Sequence, residues 1–168
     1  MDFGFSIILG LGVIMFLILF MLVNANPNTI VYDEMQKSIQ GDAYKYSGIT
    51  CTFIGIIFAY LLDFKWFPMD GSFAMLTVSI LSVLIYVVYM IIKGAYFGVS
   101  GKWKVWTLME FFVGISNTVS GVFRILQNGL TYGKLTMDNA NLLIGISFII
   151  TAFTVLIRKA MEKKDEEQ

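Results

Sequence analysis

Hydrophobic residues in this chain come in long uninterrupted blocks separated by short polar segments, with neither the 3.6-residue nor the two-residue alternation that divides a core from a wet surface. Phe3 to Val23 carries no charge and matches the ~20 residues a helix needs to cross ~30 Å of hydrocarbon. Tyr46 to Leu62, Phe73 to Ile92, Val105 to Gln127 and Asn139 to Ile157 are the other four blocks. The expectation is an all-α integral membrane bundle of five transmembrane helices forming a single domain over residues 1–168.

The polar segments punctuate this pattern. Asn24-Ala25-Asn26-Pro27-Asn28 is a turn-forming cluster. Asp33 with Gln36 three residues on has the form of a capping box, so a cytoplasmic helix near 33–45 is expected to start there and run towards the membrane. Asp63-Phe64-Lys65-Trp66-Phe67-Pro68 closes the second block, with aromatic residues suited to the headgroup layer and a proline that blocks helix continuation. Tyr86, Tyr89, Tyr96 and Lys93 read as interfacial anchors at the end of the third. Asn128 to Asp138, with Asn128-Gly129 and Tyr132-Gly133-Lys134, is a loop. Residues 158–168 read as a short solvated tail.

A cleaved signal peptide is the competing reading of the first block, since Val23-Asn24-Ala25 resembles a small-residue cleavage site. Against it, Asp2 stands where Lys or Arg is usual and the apolar run is long.

Lysine and arginine placement gives an orientation. With five spans and an inside tail, Arg158, Lys159, Lys163, Lys164, Lys93, Lys102, Lys104, Lys37 and Lys45 lie inside, and only Lys65 and Lys134 outside: nine against two. If the fourth block lay on the surface, the count would be five inside against seven outside. The N-terminus is therefore expected outside and the C-terminus in the cytoplasm.

Composition agrees with a lipid solvent. Of 168 residues, 57% are hydrophobic and 14% charged, against about 45–50% and about 25% in soluble domains; the mean hydropathy is +0.75. Twelve basic residues balance twelve acidic ones, leaving no field that favours nucleic acid. With no histidine, imidazole catalysis and His-ligated metal sites are ruled out. Asp63, Asp70 and Asp138 fall at block ends or in loops, not paired at depth as an aspartyl intramembrane protease requires. There is no phosphate-binding Gly-Lys loop. Cys51, the only cysteine, sits in an apolar block, where a thiol is more often packing than chemistry. No enzyme activity, cofactor or metal is expected.

Two groups of residues are candidates for function. Glu110, Asn117 and Arg124 recur at intervals of seven in the fourth block and share one helix face, with Gly114 and Gly121 on or close to it. The opposite side, Phe112, Val119, Phe123 and Leu126, is apolar. Such a stripe either lines a substrate or ion path or packs against a neighbour, glycines permitting close approach and Asn117 hydrogen-bonding another helix. Glu110 and Arg124 stand about 21 Å apart along the helix and need other partners. Asp33, Glu34 and Lys37 form a candidate partner surface, or else a cap and a solvated face.

Tyr32-Asp33-Glu34-Met35-Gln36 followed by Gly41-Asp42-Ala43-Tyr44-Lys45-Tyr46 resembles a pattern in small multi-pass membrane proteins of Gram-positive bacteria, commonly Asp-Glu-Arg-Gln then Gly-x-Ala-Tyr/Phe-Lys-Tyr. Ala95-Tyr96-Phe97-Gly98, Gly133-Lys134-Leu135-Thr136 and Asn141-Leu142-Leu143-x-Gly145 match as well. Met35 departs from the commoner Arg. The resemblance implies a location in the bacterial cell membrane and supplies no activity.

The function expected is that of a non-enzymatic membrane protein, a sensor, immunity or accessory subunit meeting a protein partner through the 33–45 helix or the 128–138 loop. The alternative is a small transporter or channel, a homo-oligomer assembled around the stripe. Beyond the lipid bilayer, no partner is specified.

Overall fold

The computed structural model describes residues 32–97 and 103–166, and every regular element among them is helical. The first apolar block, Phe3 to Val23, and the cleavage-like site at Ala25 lie outside the described residues. Four long helices follow: α1 (Glu34–Asp63), α2 (Gly71–Ile92), α3 (Trp103–Asn128) and α4 (Ala140–Glu166). In space α2 lies between α1 and α4, and α4 between α2 and α3, with the α3–α4 contact the most extensive.

The cap that starts α1 is built as the sequence specifies. The Asp33 carboxylate accepts from the Gln36 backbone N–H at 2.6 Å, and the Gln36 side chain accepts from the Asp33 N–H at 3.3 Å. From there α1 runs without a break for 30 residues, about 45 Å. Residues 33–45 and the second apolar block are thus one helix, and α1 outreaches the ~30 Å hydrocarbon layer. At its far end the chain turns through Lys65 in the left-handed region (φ 53°), and Asp70 caps α2 by accepting from the Phe73 N–H at 2.6 Å. Residues 158–166 likewise continue α4, with Lys163 and Lys164 in its last turn, where cations suit the helix dipole.

Two small cores hold the ends of the bundle. Ala43, Met90 and Ala95 are buried under Tyr32, Ile39, Tyr86, Tyr89 and Tyr96 at one end; Met69, Phe73 and Ala74 pack with Phe58, Leu62, Leu135 and Leu143 at the other. Between them, Ser47 on α1 places its hydroxyl 2.8 Å from both the carbonyl and the hydroxyl of Ser82 on α2, an interhelical polar contact of the kind small residues make in lipid. At the second end, the Asp70 N–H donates to the Leu135 carbonyl and the Leu135 N–H to that of Pro68, at 2.9 and 2.7 Å. The 64–70 and 130–139 connections are thereby tied together.

Most large apolar side chains point outwards, among them Phe53, Ile57 and Tyr60 on α1 and Phe112, Val119, Phe123 and Leu126 on α3. Three helical segments are long and apolar enough to cross a membrane: Glu34–Asp63, Gly71–Ile92 and Met137–Lys164. Only 6% of the most apolar stretch of the first is buried within the chain, so its outward surface needs an apolar surrounding. α3, with Glu110, Asn117 and Arg124 along it, is not among the three.

The α3–α4 contact depends on missing side chains. A Cβ on Gly145 would clash with the Thr118 backbone nitrogen and hydroxyl and lie 2.8 Å from the Gly114 carbonyl oxygen; one on Gly121 would lie 2.7 Å from the Leu142 nitrogen. Gly145→Ala is expected to destabilise the detergent-solubilised protein by roughly 1–3 kcal/mol through overpacking. Gly48→Ala, where nothing lies within 4 Å, should be neutral or stabilising by up to about 1 kcal/mol. Comparison of their unfolding midpoints checks both.

Candidate functional site

The seven-residue spacing does put Glu110, Asn117 and Arg124 on one side of α3, but they do not act on a common point. Thr107, Glu110, Gly114 and Gly121 are the buried residues of the helix. Gly114 and Gly121 meet Ile149, Gly145 and Leu142 of α4, so this part of the face is a packing seam.

Glu110 stands towards the start of the seam, only 8% exposed. The Tyr96 hydroxyl, from the α2–α3 connection, donates to its Oε1 at 3.0 Å, while its buried Oε2 has no hydrogen-bond partner among the described residues. The Tyr96 carbonyl in turn accepts from the Tyr32 hydroxyl at 3.5 Å. Burial first, and then the adjacent Glu110 carboxylate, push the Tyr96 hydroxyl well above the ordinary tyrosine range, which keeps it a donor. Asn117 is half-buried and spends its amide on its own helix, donating to the Val113 carbonyl at 2.9 Å. Among the described residues its side chain has no hydrogen bond to another helix, and Thr118, the next residue, is the one that meets Gly145 of α4.

Arg124, at the other end, reaches Asp138 in the following loop at 2.9 Å, and the second oxygen of Asp138 accepts from the Thr131 hydroxyl at 3.3 Å. The pair is about half exposed, a setting where ion pairs contribute about 0–1 kcal/mol. The requirement that Glu110 and Arg124 find separate partners is thus met by the two loops flanking α3. Gly129, at φ 68°, makes that return possible: its N–H closes on the Ile125 carbonyl at 2.8 Å in a conformation suited to glycine.

On α1, the Asp33 carboxylate is taken up by the cap, whereas Glu34 and Lys37 are exposed. Cys51 is a half-buried free thiol. No group of three or more metal-ligating His, Cys, Asp or Glu side chains occurs among the described residues.

Two concave features were not read from the sequence. A pocket of about 290 Å³ is lined by apolar residues that include Phe58, Phe67, Phe73, Leu135 and Leu142. A smaller cleft of about 80 Å³ lies among Gly94, Tyr96, Trp103, Arg158, Lys159 and Glu162. There Glu162 faces two cations: its Oε1 is 3.2 Å from Arg158 Nε and its Oε2 is 2.5 Å from Lys159 Nζ. The i,i+4 spacing of Arg158 and Glu162 is visible in the sequence; the approach of Trp103 from another helix is not.

The chain matches no family model, no curated protein and no solved structure.

Because Tyr96 supplies the one side-chain bond that Glu110 has among the described residues, Tyr96→Phe leaves its carboxyl group without that donor and should destabilise by roughly 1–3 kcal/mol. Replacing both partners, with Glu110→Leu added, should recover part of that loss. A double-mutant cycle on detergent-solubilised protein measures it, and additive losses would show that the contact contributes no coupling.

Proposed function

We propose that the chain is a non-enzymatic multi-pass protein of the bacterial cell membrane, with five spans, the N-terminus outside and the C-terminus in the cytoplasm, acting as a sensor, immunity or accessory subunit. The observation that carries this is the first part of α1. It outreaches the hydrocarbon layer, it is continuous with the apolar part of the helix, and it exposes Glu34, Lys37, Asp42, Tyr44 and Lys45 while Ala43 and Ile39 pack inwards. A charged, helical, one-sided surface fixed to a membrane anchor is suited to a protein partner. The polar residues of α3 support the same conclusion, since Asn117 and Arg124 are satisfied within the chain.

The second reading, a transporter or channel of several copies, is favoured by one observation: the unpartnered buried oxygen of Glu110. The resemblance to small membrane proteins of Gram-positive bacteria supports the location and is neutral between the two.

Crosslinking in intact cells, followed by purification of the tagged full-length protein, separates them. A distinct protein recovered in amounts comparable to the chain, and lost with Glu34→Ala and Lys37→Ala, is the expected result; crosslinks only between copies would favour the transporter. Asp33 is left intact in this test because losing its cap would itself weaken α1 by about 1 kcal/mol. For topology, in a Cys51→Ala background, Lys134→Cys should react with a membrane-impermeant thiol reagent on intact cells and Lys164→Cys should not. Protection of position 134 would overturn the five-span arrangement.

A further inference from the structure

The geometry points to a binding site for the phosphate of an anionic phospholipid headgroup in the cleft between the end of α2, the start of α3 and the last turns of α4. The inference rests on the chain residing in a membrane, and on neither the partner role nor the number of spans.

Size limits what the cleft accepts. Its volume of about 80 Å³ is far below the ~300–1,000 Å³ of sites that enclose a cofactor or drug-sized ligand. It corresponds to roughly two or three waters, room for a small tetrahedral oxyanion whose substituent extends outside.

Charge selects the sign. Arg158 and Lys159 share one carboxylate, Glu162, so these three side chains leave a net positive charge. Lys93 and Lys104 flank the region, lying 5.8 Å over the Tyr89 ring and 5.7 Å over the Trp103 ring. Among the described residues the buried Arg158 Nε has no hydrogen-bond partner, although it lies 3.2 Å from Glu162 Oε1. A phosphate oxygen would satisfy that donor, and guanidinium groups favour bidentate binding of phosphate. Glu162 then serves as the internal anion that occupies the cations in the absence of lipid, held by ion pairs about one-third exposed and therefore readily exchanged.

Position selects the source. Ile91 and Val155 line the cleft on its apolar side, Tyr96 and Trp103 line it as aromatic residues of the headgroup layer do, and Trp106, one turn along α3 from Trp103, is exposed. A lipid lying against that apolar surface carries its phosphate to this level, and basic pockets between membrane helices recognise anionic headgroups in this way.

The test uses full-length protein in neutral detergent, offered equal amounts of phosphatidylglycerol and phosphatidylcholine with identical tails, with retained lipid counted by native mass spectrometry. Each cation is expected to contribute about five-fold. Wild type should therefore prefer phosphatidylglycerol by about tenfold or more, Arg158→Gln with Lys159→Gln should reduce this to about two-fold or less, and Lys134→Gln at the far end should leave it unchanged. Glu162→Gln, which removes the competing anion, should raise phosphatidylglycerol retention, and this variant decides the matter if the double variant does not fold. Equal retention of the two lipids by wild type, an undiminished preference in the double variant, or a fall in retention with Glu162→Gln would overturn the proposal. Displacement of phosphatidylglycerol by millimolar inorganic phosphate would reassign the site to free phosphate. Failure of membrane residence is distinguishable, because the protein would then stay in solution without detergent.

Discussion

At the crossing of α3 and α4, Gly145 lies so close to Gly114 and Thr118 that one added methyl group has no place to go. In lipid, where apolar side chains gain little by leaving the solvent, such backbone proximity and the dispersion contacts it permits are what hold helices together. Much else follows from this seam. It presses Glu110 against the bundle, where Tyr96 is the residue that meets it, and it sends α3 back along α4 so that Arg124 comes within reach of Asp138. With α2 lying against the other side of α4, the two cores at the ends of the bundle then need only a few residues each.

Polar groups in this fold are handled locally. Threonines and serines on α3 and α4 return their hydroxyls to carbonyls four residues back, as Thr107, Thr118, Ser147 and Thr151 do, so they place no demand on neighbouring helices. Across α1 and α2, by contrast, Ser47 and Ser82 are joined and Gln40 donates to the Tyr86 hydroxyl. Glu110 and Arg124 are met at the bundle ends by loop residues, and Arg158 and Lys159 by Glu162 of their own helix. Polarity at depth therefore stays small, and the charges lie near the ends of the helices, where water and headgroups soften their desolvation.

What could be read from the sequence follows from the range over which each interaction acts. Asp33 and Gln36 are three residues apart and form one cap, so their relation was legible. The helical period placed Glu110, Asn117 and Arg124 on one face and Phe112, Val119, Phe123 and Leu126 on another, and the exposure of the latter follows. What the polar face meets was not legible, because periodicity carries no information about the opposite helix: Gly145 is one glycine among fifteen until α4 is laid against α3. The same holds for the bond from the Tyr96 hydroxyl to Glu110, and for the cleft at Arg158, assembled from three helix ends distant in the chain. Asn117 shows the converse, a residue singled out by its chemistry that uses its amide within a single turn.

The unbroken length of α1 has a mechanical side. A helix with continuous backbone hydrogen bonds and no break along its length has no joint where it leaves the apolar layer. Whatever tilts its apolar portion, a thinner bilayer or a neighbour pressing on Phe53 and Ile57, therefore turns the charged portion through the same angle, its end displaced in the opposite direction, as a lever does about its fulcrum.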